Sequence, residues 1–344
     1  MTITEREIMS QHQALQKTAA RFSEHETAIK AFFQTHASNK FVFIGCGSSY
    51  MLSKSFSALF SREKGINAVA LPGGDLLLAP GEYEEMLRGS ILVPVSRSGE
   101  TTEVLRAVST MRERVSFSVL SIIMKEGSTL EKLSDFSIIL PWAYDESVCQ
   151  TRSVTNLYAA GLLLYSYRFG RDGLGVQIKE AADANEGFKA LHRPALEKAA
   201  GWGFSKVVVL ADGPLCGIAE EGALAFTEIS MIPSAYFHTL DYRHGPIVLS
   251  GPQTLTIMVL RPQESDYQQD MIKDIKKRGG YVITFGKEAY SGPDLHIPAE
   301  ESHSFEAWGI PFIYLCQMIA LTKSLLRGID PDKPTGLDAF IQLR

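Results

Sequence analysis

Cysteine is scarce in this chain of 344 residues: four stand far apart, at Cys46, Cys149, Cys216 and Cys316. No Cys-x-x-Cys pair occurs, which argues against a disulfide framework and against a thiolate zinc site, so reduced and mostly buried thiols are expected. Charge of neither sign dominates: 34 Lys and Arg face 39 Asp and Glu, for a net charge of -5. With no basic cluster interleaved with aromatics, nucleic-acid binding by bulk attraction has no support. The opening Met1-Thr2-Ile3-Thr4-Glu5-Arg6-Glu7 lacks the apolar core of a signal peptide. The longest apolar runs, near Leu157–Leu164 and Pro311–Leu321, are too short or too polar to cross a bilayer. Low-complexity tracts are absent too. What remains is a cytoplasmic globular protein, long enough for two α/β lobes of ordinary size.

What is present has a rhythm. Residues 4 to 34 place Ile8, Leu15, Ala19, Phe22, Ile29 and Phe33 at helical spacing, which predicts a packing helix or helix pair. From Phe41, strands (41–44, 67–71, 90–95, 117–123, 136–140) alternate with helices (51–60, 75–87, 100–115, 129–133). A long helix over about 151–168 follows. That alternation predicts a doubly wound parallel sheet. After a glycine-rich turn at 170–175 and helix-forming sequence over 176–201, the pattern recurs. Strands are expected at 206–211, 235–239, 254–259 and 281–285, with helices at 218–230 and 267–277. The chain therefore reads as α/β, two diverged copies of one doubly wound lobe, each a parallel sheet flanked by helices. The expected divisions are a helical leader (1–36), a first lobe (37–169), a helical connector (170–200), a second lobe (201–329) and a tail over the active site (330–344).

Two strand-to-helix junctions carry the chemistry. Ser96-Arg97-Ser98-Gly99-Glu100-Thr101 follows the apolar run Ile91–Val95, and Gly45-Cys46-Gly47-Ser48-Ser49-Tyr50 follows Phe41–Ile44. Each offers glycine for tight backbone geometry, serine hydroxyls, and amide N–H groups at a helix start, the ingredients of a site for a dianionic phosphate. In one parallel sheet both loops reach the same carboxyl edge, where ligands of open α/β sheets bind. Neither loop is a Walker A motif or a G-x-G-x-x-G motif, so a small phosphate ester is favoured over a nucleotide.

These motifs resemble the phosphosugar-binding pair of the SIS (sugar isomerase) domain, here as two SIS-type lobes. The resemblance to the isomerase half of glucosamine-6-phosphate synthase extends over nearly the whole chain. It includes Val148–Arg152, Glu221–Leu224, Glu228–Ser230, His244-Gly245-Pro246, Lys277–Gly280 and Asp330–Pro334. It implies a phosphosugar site built from Gly47, Ser48, Ser49, Ser96, Arg97, Ser98, Thr101 and Gln150, with no metal and no cofactor. It implies that Glu228 moves a proton between C1 and C2 of the sugar. Glu228 lies among Ala225, Phe226, Ile229 and Met231, where partial desolvation suits a general base. His244 is implied to open the sugar ring, with an imidazole suited to proton transfer near neutral pH. It is also implied to reach a neighbouring subunit's site, so a homodimer or higher homo-oligomer is expected. Glu221 is read as a structural or polar supporting residue.

Two departures from the synthase refine the expectation. The chain starts at the leader helix, without a glutaminase domain, so no glutaminase activity is expected. The lysine that would form a Schiff base with a ketose is replaced by Ala339 in the tail motif, and a lysine in the Glu228 helix is replaced by Ala225. Without imine formation, a substrate already carrying nitrogen is the natural choice. The pattern is similar to the fructoselysine-6-phosphate deglycases. The expected activity is cleavage of a 6-phosphorylated Amadori-type sugar-amine, such as fructoselysine or glucoselysine 6-phosphate, to hexose 6-phosphate and amine. An aminosugar-phosphate deaminase or isomerase is the alternative within enzymes. A non-catalytic phosphosugar-binding sensor is the alternative outside them.

Overall fold

Short apolar strands alternating with helices produce two separate parallel sheets in the computed structural model, which describes residues 1–263 and 265–337. The described chain forms two compact units. One comprises Ser10–Glu146 and Gln150–Asp183; the other comprises Met1–Met9, Ser147–Cys149 and Ala184–Leu337. The 29-residue helix Asp172–Ala200 runs from the first unit into the second.

The first sheet contains β1 (Lys40–Gly45), β2 (Asn67–Pro72), β3 (Ile91–Ser96), β4 (Ser118–Ile123) and β5 (Phe136–Ile139). They lie in the order β2-β1-β3-β4-β5, all parallel. Every residue of β3 is buried, as expected of a central strand covered on both faces. Pro94 sits in that strand, and pairing with β4 lapses at Val93 and Pro94 before resuming at Val95. Proline has no N–H to give the ladder there. One face buries Val42, Ile44, Leu92, Val104, Val108 and Met111 against the helix Thr102–Arg112.

The second sheet contains β6 (Lys206–Leu210), β7 (Ser234–Phe237), β8 (Thr254–Val259), β9 (Tyr281–Gly286) and β10 (Leu295–Pro298). Its order is β10-β9-β8-β6-β7, again all parallel. The apolar helix Gly309–Leu326 packs on the helix Cys216–Ser230. Gly222 permits that approach, since a Cβ there would lie 2.8 Å from Cys316 Sγ. By length and composition the 18 residues of Gly309–Leu326 could cross a membrane, contrary to the short apolar run expected, but most of the helix is buried within its own unit.

Four further expectations change. The leader is three helices, Ile3–Met9, Gln11–Glu24 and Glu26–Thr35, and the first belongs to the second unit. The helix expected over 75–87 is broken into Gly73–Leu78, a 3-10 turn Pro80–Tyr83, and Glu84–Leu87. Pro80 explains the break, because it disfavours helical geometry at Ala79 and removes a donor. The glycine-rich turn shrinks to Gly170 and Arg171: only Gly170 takes left-handed geometry (φ 63°), closing the helix Arg152–Phe169, and the next helix starts at Asp172. Finally, β10 has no apolar run to announce it, for only Ile297 in this four-residue edge strand is fully buried.

Candidate functional site

In the first unit the chain runs from β1 to β2 on one side, then returns to place β3 on the other side of β1. That reversal opens a crevice at the carboxyl ends of β1 and β3. The two serine-rich loops leave those two strand ends, which are paired in register from Phe41↔Ile91 to Ile44↔Pro94. Gly45 must be glycine, because a Cβ would come within 2.6 Å of the Ser49 backbone. Gly47 adopts φ 54° and occupies the cap position of the helix Ser48–Phe60. Ser48 and Ser49 are the first two residues of that helix, both buried, and no side chain caps it.

The second loop is held by its own hydroxyls. Ser96 Oγ accepts the Gly99 N–H at 2.9 Å, and Ser98 Oγ accepts the Glu100 N–H at 3.1 Å. A hydroxyl that accepts keeps its proton to donate elsewhere, so each serine can still offer an O–H to an oxyanion. Gly99 takes φ 64°, with Ser128 Oγ only 2.4 Å from where a Cβ would stand. The helix starts at Thr102 rather than Glu100, with Thr101 at its cap position. Glu100 turns away to accept the Thr129 N–H at 3.0 Å. Between the serines, Arg97 is only 5% exposed, its guanidinium 5.8 Å from the Tyr144 ring. A cation so confined favours an anionic ligand at this edge.

Sequence reasoning missed the residue that organises the neighbouring segment. Asp145 is buried, and its Oδ2 accepts the N–H groups of Thr151 (2.8 Å) and Ser153 (3.0 Å) as well as the Ser153 hydroxyl. Ser153 Oγ also lies 3.2 Å from Gln150 Oε1. Burial pushes the Asp145 carboxyl up, against the bonds from Ser153 and Thr151 and the positive charge of Arg97. The Asp145 carboxylate thus feels the charge of Arg97 and reaches Gln150 through the Ser153 hydroxyl. The signal in the sequence was an acidic residue seven positions before a helix start, too long a span for a capping box.

In the second unit, Glu228 lies in the last turn of the helix Cys216–Ser230, half-buried. It lines a cavity of about 350 Å³ with Thr227, Met231, Pro233 and the tail residues Pro334–Leu337. Ala225 is buried on the same helix, while Ala339 lies outside the described residues. Met231 ends the helix in left-handed geometry (φ 52°). His244 follows the 3-10 turn Asp241–Arg243, is exposed, and precedes Gly245 at φ 126°. Arg243 is tied to Asp274 at 2.9 Å, which anchors the turn. Glu221 is almost fully buried. Glu7 in the N-terminal helix bonds the Ser147 hydroxyl at 2.5 Å, and Asp332 accepts the N–H groups of Ile3 (2.8 Å) and Thr4 (2.7 Å). Among the described residues, no group of three or more His, Cys, Asp or Glu could hold a metal ion.

Comparison with known proteins agrees with this architecture. Residues 35–167 match the SIS domain. The glutamine--fructose-6-phosphate aminotransferase [isomerizing] of Sulfolobus acidocaldarius is 26% identical over 90% of this chain, and the match covers 51% of that protein. The chain thus spans about half the length of that relative. The D-galactosamine-6-phosphate deaminase AgaS of a Shewanella species is 25% identical over 96% of this chain and 87% of its own length. A crystal structure of glucosamine-6-phosphate deaminase from Thermotoga maritima superposes with a TM-score of 0.78 at 25% identity, covering 99% of this chain and all of that one. The chain carries an SIS domain over residues 35–167 and, over nearly its whole length, resembles the isomerase half of the aminotransferases and the AgaS deaminases.

Proposed function

We propose that this chain is a cytoplasmic enzyme that releases ammonia from a 2-amino-2-deoxyhexose 6-phosphate. The observation that carries this reading is the end-to-end likeness to the AgaS deaminase, where the aminotransferase match takes in only half of the relative. In this reading Ser48, Ser49, Ser96, Ser98 and Thr101 hold the phosphate with Arg97, and Gln150 contacts the sugar. The roles of Glu228 and His244 come from the resemblance. His244 of a neighbouring copy assists ring opening. Glu228 removes the C2 proton of the open-chain aminoaldose, O1 gains a proton, and an enolamine results. Return of a proton to C1 gives the 2-imine, and water hydrolyses it to the ketose 6-phosphate and ammonia. A substrate already bearing nitrogen needs no imine-forming lysine, which agrees with Ala339 at the matching position of the sequence. The same departure favours equally a second reading, the deglycase. There, loss of a C1 proton and protonation at C2 give an aldimine, which hydrolyses to aldose 6-phosphate and a free amine.

The test is incubation of the purified protein with glucosamine 6-phosphate, galactosamine 6-phosphate and fructoselysine 6-phosphate, followed by assay of ammonia, lysine, ketose phosphate and aldose phosphate. Ammonia with ketose phosphate is the expected result. Lysine with glucose 6-phosphate would replace this reading by the deglycase, and binding without turnover of any of the three would leave a phosphosugar sensor. Light scattering during turnover checks the assembly, since an active monomer would remove the shared role of His244.

A further inference from the structure

We propose that the second unit has a binding site of its own, for a free α-amino acid, at the carboxyl edge of its sheet. In the order β10-β9-β8-β6-β7, the chain leaves β6 toward β7 and then crosses back to place β8 on the other side of β6. This is the same reversal that opens the crevice in the first sheet. A cavity of about 520 Å³ lies there, within the range of small-molecule sites. Its walls differ in charge. The ends of β6 and β7 contribute Asp212 and Asp241, with His238 between them. The end of β8 and the start of the helix Asp266–Lys277 contribute Arg261, Ser265 and Gln268.

The site is built rather than loose. Asp212 Oδ1 accepts the Thr239 N–H at 3.2 Å and lies 3.3 Å from His238 Nδ1. Gln268, almost fully buried, accepts the Arg261 N–H at 2.7 Å and donates to the carbonyls of Gln263 (3.2 Å) and Arg261 (3.4 Å), fixing the strand that carries the guanidinium. The Arg261 guanidinium sits 5.3 Å from the Phe305 ring. Thr239, on the cavity wall, is 2% exposed, and its Oγ1 has no hydrogen-bond partner among the described residues. A phosphate dianion would meet two carboxylates in this cavity, and a simple cation would meet Arg261. A zwitterion satisfies both walls: its ammonium faces Asp212 and Asp241, while its carboxylate faces Arg261 and the amides at the helix start.

This site does not depend on which reaction the protein catalyses. The test is a thermal-shift and calorimetric titration of the full chain with each standard free amino acid, with glucose 6-phosphate as the comparison ligand. At least one amino acid should raise Tm saturably. Arg261→Gln and Asp212→Asn should each weaken that binding by roughly tenfold or more, the loss of one charge-assisted contact. Ser98→Ala, in the first unit, should leave it unchanged. Arg261 is exposed, so its variant should fold with an unaltered ligand-free Tm, and Asp241→Asn supplies an independent check on the acidic wall. Absence of any amino-acid shift overturns the proposal, as does binding that survives both Arg261→Gln and Asp212→Asn, or binding abolished by Ser98→Ala.

Discussion

The two sheets reverse direction at the same topological point and finish it with different chemistry. At the end of β1 and β3 stand hydroxyls, tight glycines and a confined arginine. At the ends of β6, β7 and β8 stand two carboxylates and an exposed arginine. Strand order and helix cover are set by apolar burial, which both copies preserve. The loops beyond the strand ends carry no part of that core, so they could diverge without unfolding either copy. The comparison teaches that in this architecture the crevice comes with the topology and the side chains at its rim come with the loops.

The comparison is broken most forcefully at the proposed base. Glu228→Gln keeps the shape of the side chain and removes its proton-accepting role, so kcat should fall by roughly two to four orders of magnitude. Phosphosugar affinity, measured by calorimetry, should change little. A variant with undiminished turnover would separate Glu228 from the chemistry.

Next in size is Gly99→Ala. The left-handed geometry and the overlap with Ser128 together should cost about 3 kcal/mol. Denaturant melts should show it as a lower midpoint. The control experiment, Gly170→Ala, meets left-handed geometry (φ 63°) and no neighbouring atom within 4 Å, so it isolates the backbone contribution. Equal losses at the two positions would show that contact with Ser128 adds nothing.

Asp145→Ala should have an effect of comparable size, leaving the N–H groups of Thr151 and Ser153 without their acceptor at about 1–3 kcal/mol for each. Since Asp145 neighbours both Arg97 and the Gln150 segment, phosphosugar KM should rise more than stability alone explains. Asp145→Asn, which keeps one acceptor oxygen, should recover part of the loss.

The strands and loops of the first unit were legible because each signal was local. An apolar run ending in Gly-x-Gly-Ser-Ser or Ser-x-Ser-Gly is read over ten residues, and β1 and β3 end where those runs do. Asp145 was not legible, for its function depends on two amides that a chain reversal brings back to it. The edge strand β10 escaped for lack of apolar residues, and the helix expected over 75–87 failed because Pro80 was overlooked inside an apolar pattern. The cavity of the second unit went unnoticed because Asp212 and Arg261, read singly, are ordinary loop residues. Only the sheet order brings them to one cavity.

The smallest expected effect concerns acid. Burial works against the Asp332 carboxylate, but the N–H groups of Thr4 and Ile3 and the Thr4 hydroxyl hold it below the usual carboxylate range. A group whose folded-state value is depressed stabilises above its unfolded pKa of about 3.9 and loses that contribution as pH falls through the folded value. Asp332→Asn should therefore melt below the wild type near neutral pH and converge with it in strong acid. A difference in Tm that persists unchanged at low pH would assign the effect to packing.

That same clasp bears on the order in which the protein can assemble during synthesis. Ile3 and Thr4 leave the ribosome long before their partner Asp332, which is made more than three hundred residues later. Residues 10–146 and 150–183 find nearly all of their own unit early and can consolidate while translation continues. The N-terminal helix must wait, carrying the buried Ile8 and Glu7, until the second sheet exists to receive it. The nascent chain therefore holds residues 3–9 without their partners while the second unit is made, leaving them open to a chaperone over that time.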